Sequence, residues 1–353
     1  MKTIRNEFYQ ALKYEKFEAA YRRSKLQKGK RREIQRFGQN LEANLTNLIA
    51  EVRAGTYCPG KYRKFTIKEP KQRTIMALPF RDRVVQQWYV EEFIKPFFVS
   101  RFINDSYACV IGHGTHQAYA KLKKYLHRAK KQFQNPYIIK MDISGFFYNI
   151  NKSILFDILK RNIADENVLN LTHVFVFDTP GNTGIPIGNY TSQYFANIYL
   201  NELDQFVKRK LKIRYYLRYM DDFVMVVDSK STAREIYEIC ERFLQEKLLL
   251  RLNPKSNRMP LKTGVLFCGF HIYSTHILIS QNNKKSVRKK IKTFRQTGDR
   301  EQFITSLTAW NAHVKHANSW HYRQSLRPKI LEMLQDSTIS NKSIKEKNNG
   351  KSN

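Results

Sequence analysis

The sequence predicts an α+β fold, because strand-like segments occupy its middle and helical segments occupy both ends. The run YIIKM at residues 137–141 is mostly apolar and has the length of a buried strand. A second strand-like run, RYYLRYMDDFVMVVDS, is rich in aromatic and aliphatic residues. The stretch up to about Gly55 and the segments from about Ile279 onward carry apolar residues at helical spacing. A chain of 353 residues can bury a substantial core around such elements.

Two adjacent carboxylates, Asp221 and Asp222, interrupt the second strand-like run. At the tip of a hairpin they would repel each other unless a cation neutralised them. Asp142 directly follows the first run, so neighbouring strands would bring a third carboxylate to the pair. Such a cluster suits two Mg²⁺ ions roughly 3.5 to 4 Å apart, which promote the attack of a hydroxyl on phosphorus. Taken alone, the Asp-Asp pair could instead mark a simple turn between strands.

The order and spacing of these acids resemble the reverse transcriptase family, whose palm carries an Asp on one strand and Tyr-x-Asp-Asp on a later hairpin. The resemblance implies a right-hand polymerase fold with fingers, a palm of antiparallel sheet and helices, and a helical thumb, without an RNase H domain. It also implies RNA-directed DNA polymerase activity with two Mg²⁺ ions, for which Mn²⁺ could substitute. Asp142, Asp221 and Asp222 would then be the catalytic and metal-binding carboxylates, and the Ile143 carbonyl would add a metal ligand.

The same resemblance gives roles to residues around the catalytic centre. Phe147 matches the aromatic gate beneath the incoming sugar, although packing in the palm core is its alternative role. Tyr219 and Met220 would lie beside the primer and template. The motif LNPK would bring Lys255 near the leaving pyrophosphate. In LFCGFHIY, Gly269 would let the primer backbone approach closely.

Two further segments resemble the fingers. The segment KYRKFTIKEPKQRTIMALPFRDRVVQQW is similar to the family's nucleotide-binding hairpin, in which a turn at Glu69-Pro70 would hold Lys71 and Arg73 against the triphosphate. A solvated basic hairpin is the alternative. The next block, NDSYACVIGHGTHQAYAKLKKYL, is similar to the glycine loop and helix of the same family. The resemblance implies that Gly112 and Gly114 lie beside a nucleic-acid strand.

The run GNTGIPIGNYTSQYFANIYLNELDQFV departs from the Gln-Gly-x-x-x-Ser-Pro pattern usual in the family. Ile187 stands where Gln is usual and Gln193 where Pro is usual, while Gly188 and Ser192 fit the pattern. This version resembles the reverse transcriptases of diversity-generating retroelements, which copy an RNA template with frequent errors opposite adenine. That resemblance implies contact of Ile187, Gly188 and Gln193 with the nucleotide and of Ser192 with the template. The implied partners are a structured template RNA, a primer with its cDNA, dNTPs and a small basic accessory protein.

Ile187 offers a physical hypothesis for low fidelity. A Gln side chain provides donors and an acceptor near the template base, whereas Ile provides only shape. Each tenfold change in error rate needs about 1.4 kcal/mol, so the loss of one hydrogen bond is enough. The alternative is that Ile187 merely packs the loop.

The charge of the chain agrees with a polynucleotide substrate. Lys plus Arg number 63 against 30 Asp plus Glu, which gives a formal charge of +33. A polyanion would relieve this self-repulsion, and counterion release would make its binding dependent on salt. A ribosomal or chromatin-type binder could share the charge, but it would not need the three acids.

The predicted organisation is one polymerase body in five segments. These are a basic helical extension at 1–55, fingers with the first palm helix at 56–136, the palm at 137–275, a helical thumb at 276–335, and a disordered basic tail at 336–353.

The four cysteines are widely spaced, and the paired histidines at 113/116 and 313/316 lack a third partner, so no zinc site is expected. The sequence shows no signal peptide and no apolar run of membrane-spanning length, so a cytoplasmic enzyme without membrane partners is expected. The resemblance to diversity-generating reverse transcriptases implies a bacterial, archaeal or phage origin.

Two other functions fit parts of this sequence. A retron or phage-defence reverse transcriptase would share the three acids, although it would usually carry the Gln and Pro that are absent around Gly188. A catalytically idle RNA-binding scaffold would share the charge, but the joint presence of the acids argues against it.

Overall fold

The computed structural model describes residues 3–67 and 72–349, with side chains described up to residue 335. The chain divides into two compact units, each assembled from segments that are distant in sequence. The first contains Met1–Gly114, Ile139–Met225 and Ser231–Asn257, and the second contains Thr115–Ile138, Val226–Lys230 and Arg258–Asn353. The five predicted segments, including the disordered tail, stay a prediction.

The α-helices of the described residues are α1 (Phe8–Ala11), α2 (Tyr14–Ser24), α3 (Arg32–Gln39), α4 (Leu41–Arg53), α5 (Phe80–Tyr89), α6 (Lys95–Phe98), α7 (Thr115–Gln132), α8 (Phe146–Asn149), α9 (Lys152–Lys160), α10 (Glu166–Val176), α11 (Tyr190–Gln205), α12 (Lys230–Leu248), α13 (Gln281–Thr297), α14 (Arg300–Val314) and α15 (Trp320–Asn349). The strands are β1 (Arg63–Ile67), β2 (Arg73–Ala77), β3 (Tyr137–Asp142), β4 (Tyr215–Tyr219), β5 (Asp222–Val227), β6 (Asn257–Pro260), β7 (Val265–Phe267), β8 (Phe270–Ile272) and β9 (Ile277–Ile279). None of the described helices combines the length and apolar content needed to cross a membrane.

Aromatic packing holds the N-terminal helices against α5 in the first unit. Phe17 of α2 stacks on Trp88 of α5 with 4.6 Å between ring centroids. The indole Nε1 of Trp88 donates a 2.8 Å hydrogen bond to the Ala11 carbonyl. Phe17 and Trp88 are fully buried. The N-terminal segment is therefore part of the core of this unit.

A four-stranded sheet of order β4-β5-β3-β6 carries the predicted acids. Every residue of β5 after Asp222 is buried. Ile138, Ile139 and Met141 of β3 are also buried. These continuous apolar runs suit central strands that are covered on both faces. The combination of this sheet with many helices confirms the predicted α+β class.

A separate two-stranded hairpin, β1-β2, is the counterpart of the predicted nucleotide-binding hairpin. Its strands are antiparallel, with Arg63 opposite Ala77 and Ile67 opposite Arg73. All of β1 is exposed. The register places Arg73 next to the connection between the strands.

The second unit combines helices with an antiparallel sheet of order β7-β8-β9. Tyr119 of α7 packs on Phe270 of β8 with 4.8 Å between ring centroids. Phe294 of α13 stacks on Phe303 of α14, with ring centroids 4.5 Å apart. These ring contacts join the helices and the sheet of this unit around a core of its own.

Candidate active site

The predicted carboxylates lie at the ends of two neighbouring strands. Asp142 ends β3, and Asp222 begins β5, its neighbour in the sheet. Met220 and Asp221 form the two-residue turn that follows Tyr219 at the end of β4. Met220 has a φ of 54°, in the left-handed region that such tight hairpin turns require. One strand and one adjacent hairpin therefore supply all three acids.

Lys140 forms an ion pair with Asp222 that the sequence analysis missed. Its ammonium contacts Oδ1 of Asp222, and the two side chains are 16% and 28% exposed. Lys140 precedes Asp142 by two residues on β3, so both side chains project from the same face of the strand. The alternation of a strand could therefore have indicated it. The protein's own cation relieves part of the repulsion between the adjacent acids.

Hydrogen bonds from the loop after α12 orient Asp142. The Asn253 side chain donates from Nδ2 to Oδ2 of Asp142 at 3.0 Å. The Asn253 amide donates to the Asp142 carbonyl at 2.8 Å, and the Asp142 amide donates to Ser256 Oγ at 3.1 Å. Lys255, the residue predicted to act from this motif, is exposed, and its amide donates to Asn253 Oδ1 at 3.1 Å.

The oxygen donors of this site match the chemistry of Mg²⁺. Asp142 and Asp221 offer carboxylate oxygens, which are hard ligands of the type that Mg²⁺ prefers. Ile143 and Leu252 form an isolated antiparallel β-bridge. Its two hydrogen bonds run from the Asn253 amide to the Asp142 carbonyl and from the Ser144 amide to the Arg251 carbonyl, so neither uses the Ile143 carbonyl. Within the described residues, no group of three or more His, Cys, Asp or Glu side chains is arranged to hold a metal ion. The ligand types therefore fit, and the two-metal arrangement stays a proposal.

A fully buried arginine supports the turn that carries Asp221. Arg218 donates from Nη2 to Oδ2 of Asp204 at 2.6 Å and from Nε to both Asp204 oxygens at 2.9 and 3.0 Å. Its Nη1 donates to Asn197 Oδ1 at 2.8 Å and to the Met220 carbonyl at 3.0 Å. The Tyr216 hydroxyl donates to Oδ1 of Asp204 at 2.5 Å. This arginine network, Arg218 with Asp204, Asn197 and Tyr216, connects α11 to the turn.

The loop that contains Ile187 and Gly188 joins the edge of β2. The Met76 amide donates to the Ile187 carbonyl at 2.8 Å. Gly188 has a φ of 128°, and a Cβ on it would lie 2.6 Å from the Met76 carbonyl oxygen. Only glycine is compatible with this approach of the two backbones. The Ile187 side chain is half-buried.

A cluster of polar side chains lies beside this loop. Tyr62 donates from its hydroxyl to Oδ2 of Asp178. Asn189 donates from Nδ2 to the Tyr62 hydroxyl at 2.5 Å and to Asp178 Oδ2 at 3.4 Å. The buried Lys152 donates to the carbonyl of Thr179 at 2.5 Å. Burial raises the pKa of the Asp178 carboxyl to about 6, against the hydrogen bonds and the Lys152 charge that lower it. No sequence motif indicated this cluster.

Helix α11 carries the last two residues of the unusual motif. Ser192 is buried, whereas Gln193 is exposed. Gln193 Oε1 accepts a hydrogen bond from the Cys109 thiol, with 3.5 Å between the oxygen and Sγ. Burial raises the pKa of that thiol to about 11, so it remains protonated and able to donate at neutral pH.

Other predicted residues of the first unit have simpler surroundings. Phe147 is half-buried, and its carbonyl accepts from the Ile185 amide at 2.9 Å. Arg73 is exposed at the start of β2. Gly112 has a φ of 77°, and a Cβ at Gly112 or Gly114 would meet no atom within 4 Å. Both glycines therefore leave open space beside their backbone.

Two of the predicted site residues are not among the described residues of the first unit. Gly269 belongs to the second unit, where its φ of 83° turns the chain between β7 and β8. Its carbonyl accepts from Nδ2 of Asn283 at 2.7 Å. Lys71 lies outside the described residues. The remaining predicted site residues all belong to the first unit.

Comparison with known proteins shows which family the chain matches. Residues 63–272 match a family model described as reverse transcriptase (RNA-dependent DNA polymerase). The chain is 26% identical over 319 residues to protein YkfC of Escherichia coli K12, covering 78% of this chain and 81% of that protein. It is 25% identical over 241 residues to the group II intron-encoded protein LtrA of Lactococcus lactis subsp. cremoris, covering 62% of this chain and 38% of that protein. It is 24% identical over 261 residues to the retron Ec83 reverse transcriptase of Escherichia coli, covering 67% of this chain and 78% of that protein.

Proposed function

This chain belongs to the reverse transcriptase family, whose members are RNA-directed DNA polymerases, and we propose that it is the error-prone polymerase of a diversity-generating retroelement. In this role it copies a template RNA into cDNA with errors opposite adenine, and the cDNA diversifies a target gene. The observation that carries the finer assignment is the motif from Ile187 to Gln193, in which Ile replaces the usual Gln and Gln replaces the usual Pro.

In the proposed reaction, Asp142 and Asp221 would hold two Mg²⁺ ions, with Asp222 completing the acidic site. When bound, these ions would activate the primer hydroxyl and neutralise charge on the attacked phosphate. Asn253 keeps the Asp142 carboxylate in one orientation. Lys140 holds Asp222 in place through their ion pair, so the two adjacent acids need not share the same cation.

Basic side chains bind the triphosphate in this proposal. Arg73 gives a bidentate fork to phosphate oxygens, and Lys71 adds a point charge. Lys255 lies two residues beyond Asn253, which contacts Asp142, and so has a short path to the leaving pyrophosphate. Phe147 packs beneath the sugar. The exposure of Arg73 and Lys255 supports their availability to a ligand.

The contacts of Ile187 support the proposed origin of low fidelity. Its carbonyl is fixed by the Met76 amide, and Gly188 brings the two backbones together. The main chain is thus anchored independently of the side chain at position 187. What the unusual residue changes is the surface beside the template base, where Ile cannot donate or accept a hydrogen bond.

The proposed partners follow from the same assignment. They are a structured template RNA, a primer, dNTPs and a small basic accessory protein. The charge of +33 supports a polyanionic partner. A basic accessory protein would bind through the shared RNA more readily than to this basic chain directly, since like charges repel.

Primer extension on an RNA template with Mg²⁺ tests this function, with and without the accessory protein, followed by sequencing of the cDNA. Asp221→Asn is the inactive control, and Ile187→Gln tests the motif. We expect cDNA with errors at template adenines, and we expect Ile187→Gln to reduce them about tenfold, the effect of one hydrogen bond. Unchanged adenine errors in Ile187→Gln would rule out the role of this side chain.

A retron reverse transcriptase is the second candidate, favoured by the similarity to retron Ec83 reverse transcriptase. The same experiment separates the two candidates. Faithful cDNA at adenines would favour the retron function. The absence of cDNA under every partner condition would favour an RNA-binding scaffold.

A further inference from the structure

The second unit contains a cavity of about 700 Å³ that involves none of the catalytic carboxylates. One wall is a face of α7 that carries Lys123, Lys124, His127 and Arg128. The lining also includes Ser274 and Thr275, in the turn that precedes β9. We call this cavity the basic pocket.

The sequence of α7 explains why its charges converge on the basic pocket. Leu122 and Leu126, one turn apart, are buried in the core of the second unit. Lys123 and Lys124 are adjacent, and His127 and Arg128 follow each of them by four residues, so the four basic residues share another face of the helix. Such a basic face is most often open to solvent. Here the turn before β9 closes one side of it, which concentrates the positive potential.

The lining of the basic pocket leaves this potential uncompensated. Among the described residues, those that line it include no Asp or Glu. The exposed His316 lies at another edge of the pocket and adds a further nitrogen donor. Several cationic groups without acidic neighbours attract a ligand that carries several negative charges.

A ladder of stacked rings adjoins the same turn. His271 and Tyr273 are nearly parallel, at 7° with ring centroids 4.7 Å apart, and Tyr273 and His276 lie 4.5 Å apart at 16°. His276 Nδ1 shares a hydrogen bond of 2.9 Å with Oγ1 of Thr275, a pocket residue. Gly264 makes room for this ring ladder, because a Cβ there would lie 2.8 Å from the Tyr273 ring.

We propose that the basic pocket and the ring ladder bind an unpaired segment of RNA. Lys123, Lys124 and Arg128 contact consecutive phosphates, and a base extends the stack that ends at His271 or His276. Aromatic rings next to clustered basic side chains are the usual means by which proteins hold single strands. This inference rests on the proposed function in one respect, since the RNA that the enzyme copies is the expected occupant.

The dimensions and hydroxyls of the basic pocket favour unpaired RNA over a duplex. A volume of about 700 Å³ lies within the range of roughly 300 to 1,000 Å³ usual for pockets that take small ligands. Such a space admits single nucleotides rather than a double helix. Ser274 and Thr275 line the same pocket as the basic side chains, and their hydroxyls can bond to a ribose 2′-hydroxyl.

Fluorescence anisotropy with the full chain tests the site. The probe is a single-stranded RNA of about 12 nucleotides, within the site sizes usual for single-strand binders. For Lys124→Ala/Arg128→Ala we expect Kd to rise about tenfold, and we expect the slope of log Kd against log salt to fall by about 1.4, the contribution of two phosphates. Tyr273→Phe should bind like the wild type, whereas Tyr273→Leu should lose the stacking and bind more weakly.

Lys130→Ala/Lys131→Ala is the matched control, because it removes two exposed charges from the same helix outside the pocket. Equal weakening by the control would show diffuse attraction and overturn the proposal, as would undiminished binding by Lys124→Ala/Arg128→Ala. An equal loss of affinity for duplex RNA would also overturn it. Primer extension on a pre-annealed template distinguishes failure of the pocket proposal from failure of the proposed polymerase function. If cDNA is made and the pocket variant binds RNA like the wild type, only the pocket proposal fails. If RNA binding depends on the pocket but no cDNA is made, only the polymerase function fails.

Discussion

Arg218 donates a hydrogen bond from Nη1 to the Met220 carbonyl, the first residue of the turn that carries Asp221. The same guanidinium is held by both oxygens of Asp204. Because Arg218 and Asp204 are fully buried, removal of either partner leaves an uncompensated charge in the core. Arg218 thus positions the turn that carries Asp221 through a contact with its backbone.

We predict that Arg218→Lys lowers kcat for primer extension while leaving the KM for dNTP nearly unchanged. A lysine ammonium cannot keep the fork to Asp204 and also reach Met220. The stability cost should be about 1 to 3 kcal/mol, because a cation is kept but buried hydrogen-bond acceptors lose their donor. Urea unfolding and steady-state kinetics on the same preparation measure both effects. Arg214→Lys, at an exposed position four residues earlier, is the control and should change neither. A KM effect without a kcat effect would contradict the positioning role.

The two adjacent acids should respond differently to neutralisation. Asp221→Asn should reduce primer extension by about a thousandfold, since it removes a proposed metal ligand that contributes several kcal/mol. Asp222→Asn should retain more activity, because Lys140 rather than a metal ion already balances that carboxylate. Single-turnover extension at saturating Mg²⁺ measures the difference. Equal losses would mean that the ion pair with Lys140 gives way when the metal binds.

Gly188→Ala should impair the enzyme through the contact between the Gly188 loop and β2. A Cβ placed 2.6 Å from the Met76 carbonyl oxygen forces the two backbones apart and weakens the bond from Met76 to Ile187. We expect a loss of about 1 to 3 kcal/mol in stability and a higher KM for dNTP. Gly181→Ala is a close control, because Gly181 also has a positive φ of 86° but a Cβ there meets no atom within 4 Å. If both variants behave alike, backbone strain alone explains the effect.

Stability should depend on pH through Asp178. Its folded-state pKa of about 6 exceeds the ordinary value of 3.8, so the folded chain binds this proton more tightly than the unfolded chain. The protonated Asp178 carboxyl therefore contributes to the free energy of unfolding. This contribution is fully present below pH 3.8 and is lost as the pH rises through 6. Asp178→Asn removes this loss, so the variant should gain up to about 3 kcal/mol relative to wild type between pH 4 and pH 7. Urea unfolding across that range measures the effect, with the exposed Asp157→Asn as the charge control. A difference in unfolding free energy between Asp178→Asn and wild type that stays constant with pH would show that Asp178 does not titrate there.

The sequence was sufficient for the mixed fold class and the enzyme class, both now confirmed. These succeeded because Asp142 and the Tyr-Met-Asp-Asp turn are local patterns at strand ends, and the alternation and apolar runs around them are local too. In the structure, Asp142 ends β3, and the neighbouring hairpin of β4 and β5 carries Asp221 in its turn and Asp222 at the start of β5. Their catalytic role, like the diversity-generating assignment, stays a prediction.

What the sequence could not indicate are partners brought together by tertiary packing. Asp204 lies 14 residues from Arg218 and Asp178 lies 116 residues from Tyr62, and neither pair belongs to a motif. The Met76 to Ile187 bond joins main-chain atoms, so no side-chain pattern reports it. Lys140 is the exception, since the period of a strand places it beside Asp142 and could have identified it.

The bond between the Met76 amide and the Ile187 carbonyl has an evolutionary consequence. Because the loop is anchored by main-chain atoms, substitutions at position 187 can be sampled without loss of the anchor. Gly188, by contrast, is confined to a single residue type by the space available to it. If Ile187 sets copying accuracy, as proposed, selection on that accuracy can act on one half-buried side chain while folding is preserved, and the error rate can change in small steps within a lineage.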